Sequence, residues 1–216
     1  MVQYERDGAV LEFWFSLGVL VQSVIYILDD DSIARWMYEE MLQGIGARIR
    51  SYEHAHAFLD EYRPQPSECL ICDLRMPEIG GLEVQRQLLS KEAILPIIFI
   101  TGHSEVPSAV EALQNGAFHF LEKPVNSNFL IETVQKALIQ SRELNKERVA
   151  QSTRDARLTL LTDKERQVAT RIVSGLSNRE IAEEMGLSPR TVENHRANLM
   201  QKLHVGSLAE LIKLFL

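Results

Sequence analysis

The sequence predicts an α/β protein: a five-stranded parallel, doubly wound (βα)5 domain followed by a small all-α domain. Three observations carry this expectation. Short apolar runs alternate with helix-period segments five times between residues 24 and 144, the pattern of a parallel sheet whose crossover helices cover both faces. Beyond about residue 158 the strand-like runs stop, and helix-start signatures follow in close succession. Charge divides in the same place: residues 154–216 carry a net +2 in a chain that totals −7, which leaves −9 for the rest. An acidic front and a mildly basic back suggest two tasks. With 216 residues, 45% apolar and 25% charged, the chain can bury a sizeable core and is not disordered.

The N-terminal extension, residues 1–22, is the least legible element. Residues 9–21 are almost all apolar, interrupted by Glu12, Ser16 and Gly18. The run is too short for a membrane span, and Arg6, flanked by Glu5 and Asp7, provides no basic leader region. An extra packing element, a membrane-surface or partner helix, and a start site upstream of the natural one all remain open.

Residues 24–28 are continuously apolar, as in a strand buried on both faces. Residues 32–43 place Ile33, Trp36, Met37, Met41 and Leu42 on a helical stripe that Gly44 ends. A weak edge-like strand at 48–52 and a helix at 53–62, stopped by Pro64, come next. The third strand, 69–72, contains the chain's two cysteines, Cys69 and Cys72. Residues three apart on a strand face opposite ways, and no second Cys/His pair completes a zinc site, so core packing is the expected role. Helix 81–90, strand 96–100, helix 107–115 with Gly116 as its cap, strand 118–121 and helix 127–144 complete the alternation. Residues 144–157 are charged and lack Pro and Gly, so a semi-rigid helical linker is expected.

In parallel α/β sheets ligands sit beyond the carboxyl ends of the strands. Strand one ends in Asp29-Asp30-Asp31, strand three in Asp73, strand four in Thr101, and strand five runs into Glu122-Lys123-Pro124. Carboxylates a few ångströms apart raise one another's pKa; a bound Mg2+ relieves that and takes carboxylate oxygens, water and phosphate as ligands. An aspartate can attack phosphorus to form an aspartyl phosphate, and phosphoryl transfer chiefly needs positioning and charge neutralisation. Lys123 would supply one positive centre, and the Thr101 hydroxyl a hydrogen bond to a phosphoryl oxygen. Asp31 is expected only to help cap the first helix.

The series Leu28-Asp29-Asp30-Asp31, Asp73-Leu74-Arg75-Met76-Pro77, Thr101-Gly102-His103 and Leu121-Glu122-Lys123-Pro124 resembles the receiver domain of two-component response regulators. The separations of 43, 28 and 22 residues between Asp30, Asp73, Thr101 and Lys123 match that family's pattern. The resemblance covers residues 23–143. It implies that Asp73 is the phosphoacceptor and that Asp30 and Asp73 ligate Mg2+, with Asp29 in the same pocket and the Arg75 carbonyl facing the metal. It also implies that Lys123 pairs with the phosphate, that the Lys123–Pro124 bond is cis, and that Phe120 is the switch aromatic.

In the C-terminal part, Thr162-x-x-Glu165 and Ser177-x-x-Glu180 are capping boxes, and Ser188 caps a third helix with Pro189 at its first position. On that third helix Val192, Leu199 and Leu203 form the core stripe, opposite Arg190, Asn194, Ala197 and Gln201. Residues 158–216 resemble the LuxR-type helix-turn-helix, and the pairing with a receiver is similar to the NarL/FixJ class, closest to FixJ-type regulators in the stretch 190–198. The resemblance implies that the third helix enters the major groove, with Glu193, Asn194 and Ala197 facing bases and Thr191 beside them. Arg179, Arg190 and Lys202 would then contact phosphates.

Together these imply a cytoplasmic, DNA-binding transcription regulator with Mg2+ as cofactor. Its partners would be double-stranded promoter DNA, a sensor histidine kinase, a second copy of itself on phosphorylation, and RNA polymerase; no membrane partner is expected. It would be no enzyme beyond self-phosphorylation and slow self-dephosphorylation. A hydrolase built on the acidic pocket and a phosphorylation-independent regulator with a vestigial pocket are the alternatives.

Overall fold

The computed structural model describes residues 22–102 and 106–215. The readings made for residues 1–21, and the place of His103, lie outside the described residues. The chain divides into two compact units between Arg148 and Val149.

The N-terminal unit contains β1 (Val24–Leu28), α1 (Ser32–Leu42), β2 (Arg48–Tyr52), α2 (Ala55–Glu61) and β3 (Glu68–Asp73). It continues with α3 (Gly81–Ser90), β4 (Ile97–Thr101), α4 (Val106–Gln114), β5 (His119–Glu122) and the start of α5 (Ser127–Thr159). All strand pairs are parallel, in the order β2-β1-β3-β4-β5. This is the doubly wound five-stranded sheet expected. Side-chain alternation explains why the central strands read as unbroken apolar runs. Tyr26, Leu28, Leu70, Cys72 and Phe99 meet Phe58 of α2 and Val84 and Leu88 of α3 on one face. Ile25, Ile27, Cys69, Ile71, Ile98 and Ile100 meet α1 and α5 on the other. Cys69 and Cys72 thus fall in opposite layers, buried and free, as their spacing on a strand requires.

Two local expectations need correction. The stripe assigned to the first helix is only partly the buried one: Leu42 is buried and Met41 packs against the core, but Ile33 is 67% and Trp36 60% exposed, and Ala34 and Tyr38 take their place. The apolar arc of α1 is wider than its contact with the sheet, so periodicity alone selects the wrong edge. Nor is Gly44 what ends the helix: α1 stops at Leu42, within one residue of the expected end, Gly44 lies inside a 3-10 turn over Gln43–Ile45, and Gly46 adopts the left-handed conformation at φ 76°. A larger difference concerns the last receiver helix. The helix expected to end at 144 and the linker expected at 144–157 are one helix, α5, which runs to Thr159. With no Pro or Gly in that stretch, nothing breaks it.

The C-terminal unit holds α6 (Asp163–Val173), α7 (Asn178–Met185), α8 (Pro189–Lys202) and α9 (Leu208–Phe215). Thr162 and Ser177 form complete capping boxes, and the Ser188 hydroxyl accepts the Thr191 amide. Gly186, at φ 64°, closes α7 and turns the chain into α8. Val192, Leu199 and Leu203 are buried with Val168, Ile172, Ile181 and Leu211, so the core stripe of α8 is the expected one. The helix α9 went unread, although Ser207 three residues before Glu210 was its signal: the Glu210 amide donates to the Ser207 hydroxyl at 3.2 Å.

Candidate functional site

The register of the sheet assembles the acidic pocket. Leu28 pairs with Cys72, so the next residues, Asp29 and Asp73, leave adjacent strands side by side. This is also where the strand order reverses, with β2 on one side of β1 and β3 on the other. Ligand oxygens of Asp29, Asp30 and Asp73 lie within 4.8 Å of one another. Asp29 is 1% exposed, Asp73 is buried and Asp30 is open to solvent.

Lys123 reaches into this cluster from the end of β5. Its Nζ donates to Asp29 Oδ2 at 2.8 Å and to Asp73 Oδ2 at 2.9 Å. The Lys123 amide donates to the Thr101 carbonyl at 2.8 Å, and the Lys123–Pro124 bond is cis. Thr101 is buried at the end of β4. Burial raises the Asp29 carboxyl above the usual carboxylate range; the hydrogen bond from Lys123 and the Asp31 amide oppose this, while Asp73 adds to it. Burial alone would lower the Lys123 pKa, but the hydrogen bonds to Asp29 and Asp73 outweigh it, and the ammonium is held charged.

The surrounding backbone is held by residues that sequence reasoning only partly anticipated. Asp31 caps α1 as expected, its carboxylate accepting the Ile33 amide at 2.9 Å. The Arg75 amide donates to Asp73 Oδ1 at 3.2 Å. Arg35 was not anticipated: its guanidinium donates to the Asp29 carbonyl at 2.6 Å and to Glu53 at 3.3 Å. Six residues from Asp29, it has no local signature. Gly81 was also missed as a pocket residue. A Cβ there would lie 2.5 Å from the Asp73 carbonyl oxygen and 2.8 Å from Phe99 Cε1, so only glycine permits the approach of α3 to β3. Phe120 is half-buried and packs on the layer that contains Phe99.

Three oxygen donors from two strand ends, two of them buried, fit a hard divalent cation such as Mg2+ in donor chemistry. The ammonium of Lys123 already pairs with two of these carboxylates, Asp29 and Asp73, so the pocket is poised between cation and anion partners.

In the C-terminal unit, α8 exposes Arg190, Glu193, Asn194 and Ala197 on the side away from its core stripe, with Thr191 half-buried at its start. The three cations read as phosphate contacts differ. Arg190 is exposed. Arg179 pairs with Glu183 on its own helix at 3.2 Å. Lys202 donates to the buried Glu165 carboxylate at 2.7 Å, which together with Thr162 pulls that acid down to about 2. The Lys202 ammonium therefore serves the fold of α6 before it serves any ligand.

Comparison with known proteins matches both units. Residues 25–135 fit the response regulator receiver domain, and residues 159–215 fit the bacterial regulatory proteins of the luxR family. The transcriptional regulatory protein FixJ of Azorhizobium caulinodans is 40% identical over 192 residues, covering 89% of this chain and 91% of the relative. The FixJ of Rhizobium meliloti is 38% identical over 194 residues, covering 89% and 94%. Among solved structures, the response regulator StyR superposes with a TM-score of 0.82 at 36% identity, covering 90% of this chain and 98% of StyR. Full-length FixJ from B. japonicum gives 0.55 at 36% identity, covering 90% and 96%.

Proposed function

Because the chain belongs to the FixJ-like two-component response regulators, which join a receiver domain to a LuxR-type DNA-binding domain, we propose that Asp73 is the acceptor through which a sensor histidine kinase controls promoter binding. Phosphorylation-dependent regulation is the standard mode of this family, and the receiver and luxR-type domains imply a kinase and DNA as partners. The observation that carries the finer reading is the meeting of Asp29, Asp73 and Lys123 within hydrogen-bond reach at the ends of adjacent strands. That arrangement also weighs against a vestigial pocket.

Asp73 supplies the nucleophile: a carboxylate oxygen bonds to phosphorus as the bond from phosphorus to the kinase histidine breaks. Lys123 holds a phosphoryl oxygen instead of the Asp73 carboxylate, and the Thr101 hydroxyl donates to another. Asp29, Asp30, Asp73 and the Arg75 carbonyl would hold Mg2+, which would supply charge to offset the repulsion between phosphoryl and carboxylate oxygens. The new group brings about −1.5 to −2 charge. Thr101 and Phe120 follow it, and the face of α4, β5 and α5 changes with them. Val110 and Leu113 of α4 and Phe129 of α5 are exposed apolar side chains that a second copy could cover. Paired helix-turn-helix units then reach half-sites about one DNA turn apart, with Glu193, Asn194 and Ala197 toward bases, Arg179, Arg190 and Lys202 toward phosphates, and RNA polymerase as a further partner. Turning such a switch from mostly off to mostly on requires about 5 kcal/mol of differential stabilisation. The protein acts in the cytoplasm, without turnover on an external substrate beyond slow loss of its own phosphoryl group.

The test is Asp73→Asn, which keeps the shape and removes the nucleophile. With a small phosphodonor and Mg2+, the wild-type protein is expected to dimerise and to bind promoter DNA more tightly, and the variant to do neither. A variant that responds as the wild type does overturns the assignment.

A further inference from the structure

One helix of the receiver is apolar on its outer side as well as on the side that faces the core. Ala34, Tyr38 and Leu42 fill the buried side of α1. On the other side Ile33 is 67%, Trp36 60% and Met37 37% exposed. Residues three and four apart are neighbours on a helix surface, so these three side chains form one patch. Single exposed apolar residues are ordinary, but a contiguous group that includes a tryptophan marks a contact surface. The patch begins beside the acidic pocket: Ile33 stands two residues beyond the cap residue Asp31, whose amide donates to Asp29 Oδ1 at 2.9 Å. It ends where Gln43 Nε2 donates to Glu40 Oε1 at 2.7 Å and the outer side becomes polar.

The sequence contains a segment suited to that patch. Residues 9–21 are apolar apart from Glu12, Ser16 and Gly18, and include Phe13, Trp14 and Phe15 in succession. The segment joins the receiver at the foot of α1. It leads through Gln22 to Ser23, whose carbonyl accepts the Arg48 amide at 2.8 Å, and only residues 43–47 separate Arg48 from Leu42, the last residue of α1. The helix has 11 residues and is about 16 Å long. The 13 residues of the segment cover that length in any conformation, spanning about 20 Å at helical rise and about 40 Å when extended. A tether this short holds the segment near the patch at a local concentration on the order of millimolar, against which any separate partner must compete.

We propose that residues 9–21 pack along the outer side of α1 and bury Ile33, Trp36 and Met37, which makes the N-terminal segment an intramolecular part of the receiver that borders the acidic pocket.

The chain has two tryptophans, Trp14 in the segment and Trp36 in the patch, so each side of the contact reports on the other. In full-length Trp14→Phe, Trp36 is the sole tryptophan, and its emission is expected to be blue-shifted and sheltered from acrylamide. Changing Leu11, Phe13, Phe15 and Leu17 together to Asp in this background removes apolar character from every side of the run. The emission should then move to the red and the quenching constant rise at least about twofold, as an indole passing from burial to 60% exposure requires. The reciprocal variant keeps the test independent of the segment's own substitutions. In Trp36→Phe, replacing Ile33 and Met37 with Asp should expose Trp14 by the same measure. Both exposed residues lie outside the receiver core, so circular dichroism should be unchanged. A Trp36 that quenches as freely in Trp14→Phe as in the four-aspartate variant overturns the proposal. Shelter that grows with protein concentration assigns the patch to a second copy, and shelter that appears only with phosphatidylglycerol vesicles assigns the segment to a membrane surface; either result also overturns it.

Discussion

Replacing Gly81 with alanine sets two effects of opposite sign against each other. Gly81 is the first residue of α3, and its φ is not positive, so alanine adopts the backbone without strain. In a helix alanine is favoured over glycine by about 0.5–1 kcal/mol. The added methyl, however, would lie 2.5 Å from the Asp73 carbonyl oxygen, 2.8 Å from Phe99 Cε1 and 3.1 Å from Cys72 Sγ. The first atom is backbone, and the other two belong to fully buried side chains, so relief requires α3 or β3 to move. Overpacking of this kind costs about 1–3 kcal/mol and here exceeds the gain in propensity, for a net loss of about 1–2 kcal/mol. The damage also reaches the chemistry, because the atom struck belongs to Asp73. A misplacement of about 1 Å can cost on the order of a hundredfold in rate, so labelling by a small phosphodonor with Mg2+ should slow at least roughly tenfold. Urea unfolding followed by tryptophan fluorescence measures the first effect, and the initial labelling rate the second. Gly44→Ala is the control: its Cβ meets nothing within 4 Å, and its stability should stay within about 0.5 kcal/mol of wild type. A Gly81→Ala protein that is no less stable than wild type and is labelled at the same rate would refute the reasoning.

Lys123→Ala removes the ammonium 2.8 Å from Asp29 and 2.9 Å from Asp73, leaving two facing carboxylates. The Asp29 pKa, already raised, rises further, so stability should decline as pH climbs through it. The expected loss at pH 7.5 is about 1–3 kcal/mol, partly restored by acid or by Mg2+ in urea unfolding; a deficit independent of both would count against this account. Glu165, held at about 2, contributes stability that is present above its ordinary value of 4.5 and is lost as pH falls toward 2. Its partner Lys202 is 39% exposed, so after allowance for screening Glu165→Gln should cost about 1–2 kcal/mol. Circular dichroism melts should show the variant with a flatter acid limb. For DNA, Asn194→Ala should cost about 1–3 kcal/mol on the preferred site and relax one base position. Arg190→Ala should weaken all sequences alike and lower the salt slope by about 1, both measured by anisotropy titration.

The repeating units and the chemistry at their ends could be read from the linear chain. Strand β1 was legible because an apolar run bounded by Ser23 and Asp29 has few other uses, and both capping boxes because their hydrogen bonds close within three residues. Asp29, Asp30, Asp73 and Lys123 could be gathered on paper because parallel topology places every strand end on one edge. Which side of each element the core uses, and which polar groups find partners, emerged from the three-dimensional packing alone. Trp36 and Tyr38 stand on nearly opposite sides of α1, and both are large and aromatic, yet it is Trp36 that faces solvent and Tyr38 that is buried. Lys202 pairs with Glu165 across 37 residues, and Glu68 disappears beneath Tyr62 and α5. Periodicity and capping are short-range properties that a linear chain displays. Burial and pairing depend on which distant surfaces meet, and those are set by the packing of the whole domain.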